Sequence, residues 1–149
     1  MAQIHNLEIE CKARSCEEKL YVVLIRDVHM LPKYVPQLIH SIQVLPGDRE
    51  VHVGTVLVSE YVQEKITAVD HKNMSVTSSI LEGDLKNDYT SIGYTLTITP
   101  LQRDGNYNFL VRWSVYYEKA NEDVPDPTYF MKLLEDLTKE LDTNLLKEE

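Results

Sequence analysis

The sequence predicts an α+β protein in which helices pack on one side of an antiparallel sheet. A run of segments with period-2 alternation has no helical pattern between its members, so we expect neighbouring strands to pair antiparallel. Two short helical segments precede this run, and one long amphipathic segment follows it. No linker or internal repeat divides the 149 residues, so we expect 1–149 to form a single domain.

The N-terminal part predicts one strand and two short helices. Apolar and polar residues alternate in LEIECKA, which is typical of a strand with one wet face. Ser15 followed by two glutamates indicates a helix start, and the spacing predicts a helix over 16–27. Pro32 and Pro36 bound a second short helical segment, because proline disfavours helix in the residue before it. We expect the two helices to meet near Pro32 in a V.

The middle of the chain predicts strands separated by turns. Pro46 and Gly47 close the strand SIQVL, and we expect Pro100 to end the strand that contains Ile92. The further strands are MSVTSSIL and FLVRWSVYYEK, and the turns are HKN, EGDLKND and QRDGN. The two strands on either side of QRDGN are expected to form an antiparallel pair.

The stretch GTVLVSEYVQEKITAVD, residues 54–70, reads as strand throughout. It exceeds the usual strand length of about 3–10 residues and contains no interior Gly-containing turn. We predict two strands, GTVLVSEY and VQEKITAVD, joined through SEYVQE by a tight irregular hairpin or a bulged bend.

The C-terminal segment predicts a long helix. NEDVPDP breaks the sheet, and from Thr128 the apolar residues follow at spacings of 3 and 4. These residues are Phe130, Leu133, Leu134, Leu137, Leu141 and Leu145.

Charge and composition exclude several classes of function. Fifteen Lys and Arg against 24 Asp and Glu give a net charge of −9, which argues against nucleic acid and anionic membranes as partners. No apolar run approaches the about 18 residues of a membrane span. The start MAQIHNLEIECK has acidic residues by position 8 and no apolar run of signal-peptide length, so we expect no signal peptide. We therefore expect a cytoplasmic protein without membrane insertion. The sequence carries no signal of an oligomeric state.

No motif indicates a metal, a cofactor or an activated nucleophile. The histidines show no ligand spacing around Cys11 and Cys16, and the chain has neither GxSxG nor a dinucleotide fingerprint. Any catalysis would then be acid–base steering or templating of an already reactive substrate, without a cofactor.

Several stretches, in order along the whole chain, are similar to the major latex protein and ripening-related branch of the birch pollen allergen superfamily of plants. These stretches are MAQIHNLEIECK, LPKYVP, SIQVLPGD followed by GTV, ITAVDHKNMSVTSSILEGDL, YEKANEDVPDP and LDTNLL. The resemblance implies a helix-grip fold, in which a curved seven-stranded antiparallel sheet wraps the C-terminal helix around an apolar cavity.

The same resemblance implies that the protein binds small hydrophobic molecules such as terpenoids, sterols, flavonoids or hormones. Some relatives are instead cofactor-free enzymes that cyclise, condense or isomerise reactive molecules of plant specialised metabolism. A third interpretation is an abundant latex or defence protein without a single ligand.

The sequence departs from the family pattern in two places. The loop after the second strand, GDREVHVG, has glycine only at Gly47 and Gly54, which weakens any role in cradling a phosphate. The arm within 54–70 is shorter than in relatives. Because this arm flanks the cavity mouth in relatives, we expect ligand access to differ here.

The alternation predicts which strand residues face the long helix, where they line either a packed core or a cavity. On the two paired strands these are Ile92, Tyr94, Leu96, Val111, Trp113, Val115 and Tyr117. In 54–70, placing the strands as the family has them turns Leu57, Ser59, Tyr61, Val62, Glu64, Ile66 and Ala68 inward.

Glu64 is the one carboxylate in that inward set. Burial can raise a carboxyl pKa by up to about 3–5 units, which would suit an acid or base near neutral pH. The alternative is that Glu64 lies in water at the hairpin tip. Tyr61, Tyr94 and Tyr117 could orient a ligand oxygen, or be ordinary core tyrosines.

Two sets of candidate site residues follow. The catalytic candidates are Glu64, Tyr61 and Tyr94. The ligand-binding candidates are Val23, Leu31, Leu57, Ser59, Tyr61, Glu64, Ile80, Ile92, Tyr94, Val115, Tyr117, Phe130, Leu134 and Leu137.

Overall fold

A computed structural model describes residues 3–15, 17–45, 47, 50–104 and 107–148. The strands are β1 (Ile4–Ala13), β2 (Ile42–Leu45), β3 (Val56–Ser59), β4 (Val62–Asp70), β5 (Ser75–Gly83), β6 (Tyr89–Asp104) and β7 (Tyr107–Lys119). The helices are α1 (Glu17–Tyr21), α2 (Leu31–Tyr34), α3 (Leu85–Asp88) and α4 (Thr128–Lys147), with a π-helical turn at Val22–Arg26 and a 3₁₀ turn at Val28–Met30.

The strands form one antiparallel sheet in the order β1-β7-β6-β5-β4-β3-β2. The inner face of β6 and β7 is apolar, and its members Leu96, Val111 and Val115 are buried. Trp113 in β7 donates from Nε1 to Thr138 Oγ1 of α4 at 2.8 Å, so α4 lies against this face. The predicted α+β architecture, with a seven-stranded antiparallel sheet and a long C-terminal helix, is confirmed.

Asp142 of α4 fastens the end of β1 to the helix. Its carboxylate accepts the backbone N–H of Arg14 at 3.0 Å and of Ser15 at 2.8 Å. Ser15 Oγ also donates to this carboxylate, and Ser15 is fully buried. Backbone donors that leave the sheet here are therefore satisfied by a helix side chain.

The two N-terminal helical segments differ in detail from the prediction. Residues 17–26 are helical, with the second half π-helical, while residue 16 lies outside the described part of the chain. The bend comes at Asp27 rather than at Pro32, which lies in the first turn of α2. Proline is tolerated there because its missing N–H would have no helical acceptor.

The prediction that Pro100 ends its strand is wrong. β6 continues to Asp104, and Pro100 pairs with Phe109 of β7. On the other side, the pairing of β6 with β5 stops at Thr97. The missing N–H of Pro100 therefore costs no sheet hydrogen bond. Residues 105 and 106 of the predicted QRDGN turn lie outside the described residues.

Residues 54–70 form two strands joined by a two-residue tip. Leu57 pairs with Glu64 and Val58 with Gln63, which leaves Glu60–Tyr61 at the tip. Met74 is the one non-glycine residue with positive φ in the described part of the chain, so the tip is not a type I′ or II′ turn. Ser59 Oγ instead accepts the N–H groups of both Tyr61 and Val62 at 3.3 Å. The predicted tight irregular hairpin is confirmed.

A bulge in β4 overturns the inward prediction for Ala68. The register with β5 shifts between Ile66 and Ala68, so Thr67 is an extra residue. A bulge of one residue reverses the side-chain direction of everything after it. Ala68 is consequently exposed, and Val69 packs against the core instead.

No helix within the described ranges has the length and apolar character needed to cross a membrane.

Candidate functional site

A cavity of about 800 Å³ lies between the sheet, the N-terminal helical segments and α4. The two helical walls contribute Leu24, Val28, Leu31, Phe130, Leu133, Leu134 and Leu137. The sheet contributes Leu57, Ser59, Val62, Glu64, Tyr94 and Trp113. A space of this volume with a mainly apolar lining suits a small organic molecule.

The cavity occupies only the part of the interior beside the first half of α4. Leu134 and Leu137 line it, whereas Leu141 and Leu145 further along the helix do not. Leu141 and Leu145 are fully buried in packed core. The protein interior is therefore hollow at one end of α4 and solid at the other.

The structure divides the ligand-binding candidates into two groups. Those that line the cavity are Leu31, Leu57, Ser59, Tyr61, Glu64, Tyr94, Phe130, Leu134 and Leu137. Those that do not line it are Val23, Ile80, Ile92, Val115 and Tyr117, each at most 2% exposed. The second group faces inward as predicted, but neighbouring side chains fill the space in front of it.

Tyr117 illustrates how that space is filled. Its ring lies edge-on to Tyr89 with 5.6 Å between centroids and stacks on His5. Its hydroxyl donates to Asp126 Oδ1 at 2.7 Å, and burial, followed by this carboxylate, raises the pKa of Tyr117 to about 12. Tyr117 is thus a core tyrosine with its hydroxyl satisfied at the edge.

Glu64, Ser78 and Tyr94 form a polar cluster in the cavity wall across three adjacent strands. Ser78 of β5 is directly paired with Tyr94 of β6, and Ile66, two residues from Glu64, pairs with Ser78. Glu64 Oε1 accepts hydrogen bonds from Ser78 Oγ at 3.0 Å and from the Tyr94 hydroxyl. Ser78 is fully buried, while Glu64 and Tyr94 keep part of their surface toward the cavity.

Burial dominates the electrostatics of this cluster. It raises the pKa of Glu64, and the hydrogen bonds from Tyr94 and Ser78 offset part of this increase. Burial and then the Glu64 carboxyl raise the pKa of Tyr94 well above its usual value, so Tyr94 stays a neutral donor. The alternative that Glu64 lies in water at the hairpin tip is wrong, because the tip is Glu60–Tyr61.

Tyr61 closes the cavity wall at the hairpin tip. It lines the cavity and is 40% exposed. Its hydroxyl donates to the backbone carbonyl of Leu38 at 2.9 Å, so the ring bridges the tip and the chain before β2. Its hydroxyl is already committed to the protein, as is that of Tyr94.

Two loops contribute cavity residues that the sequence reasoning missed. From the sequence, EGDLKND predicts only a turn and NEDVPDP only a break in the sheet. Their residues at the cavity are Gly83, Asp84, Leu85, Asp88, Pro125, Asp126 and Pro127. Loops at the open end of a scaffold often carry binding residues. The location of these two segments in loops is the sequence signal that could have identified them. Tyr129, 78% exposed at the start of α4, extends the same rim.

Within the described ranges, no three His, Cys, Asp or Glu side chains are grouped so that they could hold a metal ion. Cys11 is buried without a disulfide, and Cys16 lies outside those ranges.

Comparison with known proteins relates the chain to one family. The model of the pathogenesis-related protein Bet v 1 family matches residues 2–148. MLP-like protein 43 of Arabidopsis thaliana is 32% identical, over 98% of this chain and 96% of its own length. Major latex protein 149 of Papaver somniferum is 29% identical, over 88% of this chain and 85% of its own length.

Solved structures show the same fold. Major latex-like protein 151 from Panax ginseng superimposes with a TM-score of 0.85 at 26% identity, covering 96% of this chain and 98% of that one. Norcoclaurine synthase from Thalictrum flavum, in complex with dopamine and hydroxybenzaldehyde, has a TM-score of 0.74 at 18% identity, covering 99% of this chain and 90% of that one. The similarity to norcoclaurine synthase shows only that the two proteins share a fold.

Proposed function

Because the chain belongs to the Bet v 1 family and to its major latex protein branch, we propose that it is a plant cytosolic protein that holds a small hydrophobic molecule between its sheet and α4. The observation that carries the proposal is the cavity of about 800 Å³ with its mainly apolar wall. Terpenoids, sterols, flavonoids and hormones of similar size are the candidate ligands.

The hydrophobic effect supplies the driving force for such binding. A ligand that buries about 300 Å² of apolar surface gains about 7.5 kcal/mol at about 25 cal/mol per Å². Loss of translational and rotational freedom offsets a large part of this gain. Shape and the few polar groups of the wall must therefore supply the selectivity.

Trp113 makes the proposal testable without a label. It is the one tryptophan of the chain and it lines the cavity. We expect selected terpenoids, sterols or flavonoids to change Trp113 fluorescence saturably, and native mass spectrometry to show a 1:1 complex. No change with any of these classes, and no bound mass, would contradict the proposal. Weak binding of every compound would favour a latex or defence protein without a single ligand.

Glu64 favours a second candidate function, a cofactor-free cyclase or isomerase that acts on a reactive terpenoid or alkaloid precursor. A carboxyl group with a raised pKa in an apolar cavity can give or take a proton near neutral pH. No cofactor is needed when the substrate is already reactive and the cavity only guides it.

The enzyme candidate is tested with a reactive enol or dialdehyde. We expect a product distribution or chirality that differs from the reaction in buffer. Glu64→Gln keeps the side-chain shape but cannot exchange a proton near neutral pH, so it should slow the reaction by about 10²–10⁴. Products identical to those in buffer reject the enzyme, and an unchanged rate in Glu64→Gln rejects the role of that residue.

A further inference from the structure

We propose that the cavity selects neutral apolar ligands that carry a carbonyl oxygen, to which Oε2 of protonated Glu64 donates a hydrogen bond. This inference rests on the proposed binding function and adds the chemical class of the ligand. The two oxygens of the Glu64 carboxyl group have different surroundings.

The proton of neutral Glu64 belongs on Oε2. Oε1 already accepts two hydrogen bonds, from Ser78 Oγ and from the Tyr94 hydroxyl. A carboxyl oxygen has two lone pairs in the plane of the group. When both accept hydrogen bonds, neither is left to hold the carboxyl proton. The protein has therefore oriented the carboxyl group so that its donor is the other oxygen.

Oε2 of Glu64 is accessible and has no hydrogen-bond partner among the described residues. No described residue donates a hydrogen bond to Oε2. Among the described residues, Nδ1 of His29 is the one buried side-chain polar atom without a hydrogen-bond partner. Oε2 also has no partner, so it cannot be buried. Because Glu64 lines the cavity, we infer that the accessible surface of Oε2 faces the cavity. A ligand atom can reach it there.

Three other donors in the sheet wall are already committed to the protein. The Tyr61 hydroxyl donates to Leu38, and the Tyr89 hydroxyl donates to the carbonyl of Pro125. Trp113 Nε1 donates to Thr138. A ligand carbonyl oxygen can accept a hydrogen bond but cannot donate one. It therefore suits the O–H group at Oε2, which can donate to it.

The charges around the cavity favour the protonated form of Glu64. The titratable groups that share the lining with Glu64 are Glu60 and Tyr61 at the β3–β4 tip, Asp84, Asp88 and Tyr89 around α3, Tyr94 on β6, and Asp126 and Tyr129 at the start of α4. Among the described lining residues there is no Lys, Arg or His, and Lys65 beside Glu64 is exposed on the other face. No cation favours the ionised form, and burial raises the pKa of Glu64.

Two rigid steroids that differ only in a carbonyl test the inference, with Trp113 fluorescence and native mass spectrometry as readouts. The probes are 5α-androstan-17-one and 5α-androstane, titrated from about pH 5 to about pH 9, where an ordinary tyrosine is still neutral. We expect the ketone to lose about tenfold in affinity as the pH rises through the pKa of folded Glu64. The hydrocarbon should show no such loss, and it reports any change common to both ligands.

Two variants separate hydrogen-bond donation from charge. In Glu64→Gln the amide oxygen can replace Oε1 and the amide N–H can replace Oε2, so ketone binding should stay tight at every pH. In the double variant Glu64→Leu with Tyr94→Phe, neither residue can donate, and ketone affinity at low pH should fall about tenfold. Hydrocarbon affinity should stay within about twofold in both variants.

Several results would overturn the inference while leaving the proposed function intact. These are equal pH profiles for ketone and hydrocarbon, ketone binding that strengthens as the pH rises, or a Glu64→Gln variant that loses ketone affinity. Absence of binding for both steroids at every pH would also contradict the inference, and it would contradict the proposed function only if terpenoids and flavonoids fail to bind as well. Thermal unfolding shows whether each variant is folded, and Glu64→Gln alone decides the matter if the double variant is not.

Discussion

Glu64 is a carboxyl group at a position where an apolar side chain would cost less free energy. Burial disfavours its charged form, and the hydrogen bonds from Tyr94 and Ser78 relieve only part of that cost. A titratable residue that is perturbed by desolvation and faces a cavity is typical of a functional site. Among single residues, substitution of Glu64 therefore gives the most direct test.

Glu64→Gln should change how the stability of the protein depends on pH. Because the pKa of Glu64 is raised on folding, the folded state keeps a proton that the unfolded state loses above about pH 4.3. The wild-type free energy of unfolding should fall, relative to the variant, by at most about 1.4 kcal/mol per pH unit up to the folded pKa. Urea unfolding of both proteins across this range measures the difference.

The exposed Glu82 on β5 offers a matched control for this prediction. Glu82→Gln should change the free energy of unfolding by less than about 0.5 kcal/mol. Parallel pH curves for the wild type and Glu64→Gln would show that Glu64 keeps no extra proton in the folded state.

At the scale of elements, the β3–β4 hairpin is held by contacts from outside its own turn. The Glu60 carboxylate accepts the N–H of His40 at 2.9 Å, and the Tyr61 hydroxyl reaches Leu38. Beyond the tip, Gly83 of β5 lies against the backbone of Tyr61. These contacts compensate for turn residues that have little intrinsic turn preference.

Gly83→Ala should disturb this hairpin more than Gly54→Ala disturbs its own loop. Both glycines have positive φ, +131° and +96°, so both alanine variants are strained. A Cβ at Gly83 would lie 2.5 Å from the Tyr61 carbonyl oxygen, whereas nothing lies within 4 Å at Gly54. We expect Gly83→Ala to lower the free energy of unfolding, measured in urea, by about 1–3 kcal/mol more than Gly54→Ala does. Equal losses would mean that the hairpin tip moves freely away from β5.

At the scale of the whole molecule, the interior is solid at one end of α4 and hollow at the other. The solid end is anchored by Asp142 on Ser15 and by buried leucines such as Leu141. Close packing there supplies stability, since a filled interior gains dispersion and hydrophobic free energy that a void does not. The hollow end leaves room for a ligand.

One substitution made at two positions of α4 distinguishes the two ends. Leu134→Phe enlarges a side chain that faces the cavity, and Leu141→Phe enlarges one in packed core. We expect the first to change the free energy of unfolding by less than about 1 kcal/mol and the second to lose about 1–3 kcal/mol. Leu134→Phe should also weaken binding of the bulkiest ligands, measured by Trp113 fluorescence. Similar losses at both positions would indicate a solid interior throughout.

Local patterns in the sequence are enough to predict the order of the main elements and the direction of most inward side chains. Strand alternation and helical spacing are local properties, so they are sufficient to turn Tyr94 and Leu134 toward the interior. For Glu64, the inward direction came from placing the strands as the family has them. The lack of a turn motif in 54–70 likewise indicated an irregular hairpin. The order of motifs along the chain indicated the family.

Contacts between distant parts of the chain set where the side-chain direction changes along a strand and where the interior is empty. The bulge at Thr67, which turned Ala68 outward, depends on how β4 meets β5 rather than on the alternation within β4. Val115 and Tyr94 share one sheet face, yet only Tyr94 lines the cavity. Periodicity sets the direction of a side chain but not its distance from the opposite wall. That distance arises from the curvature of the sheet and from side chains far away in sequence.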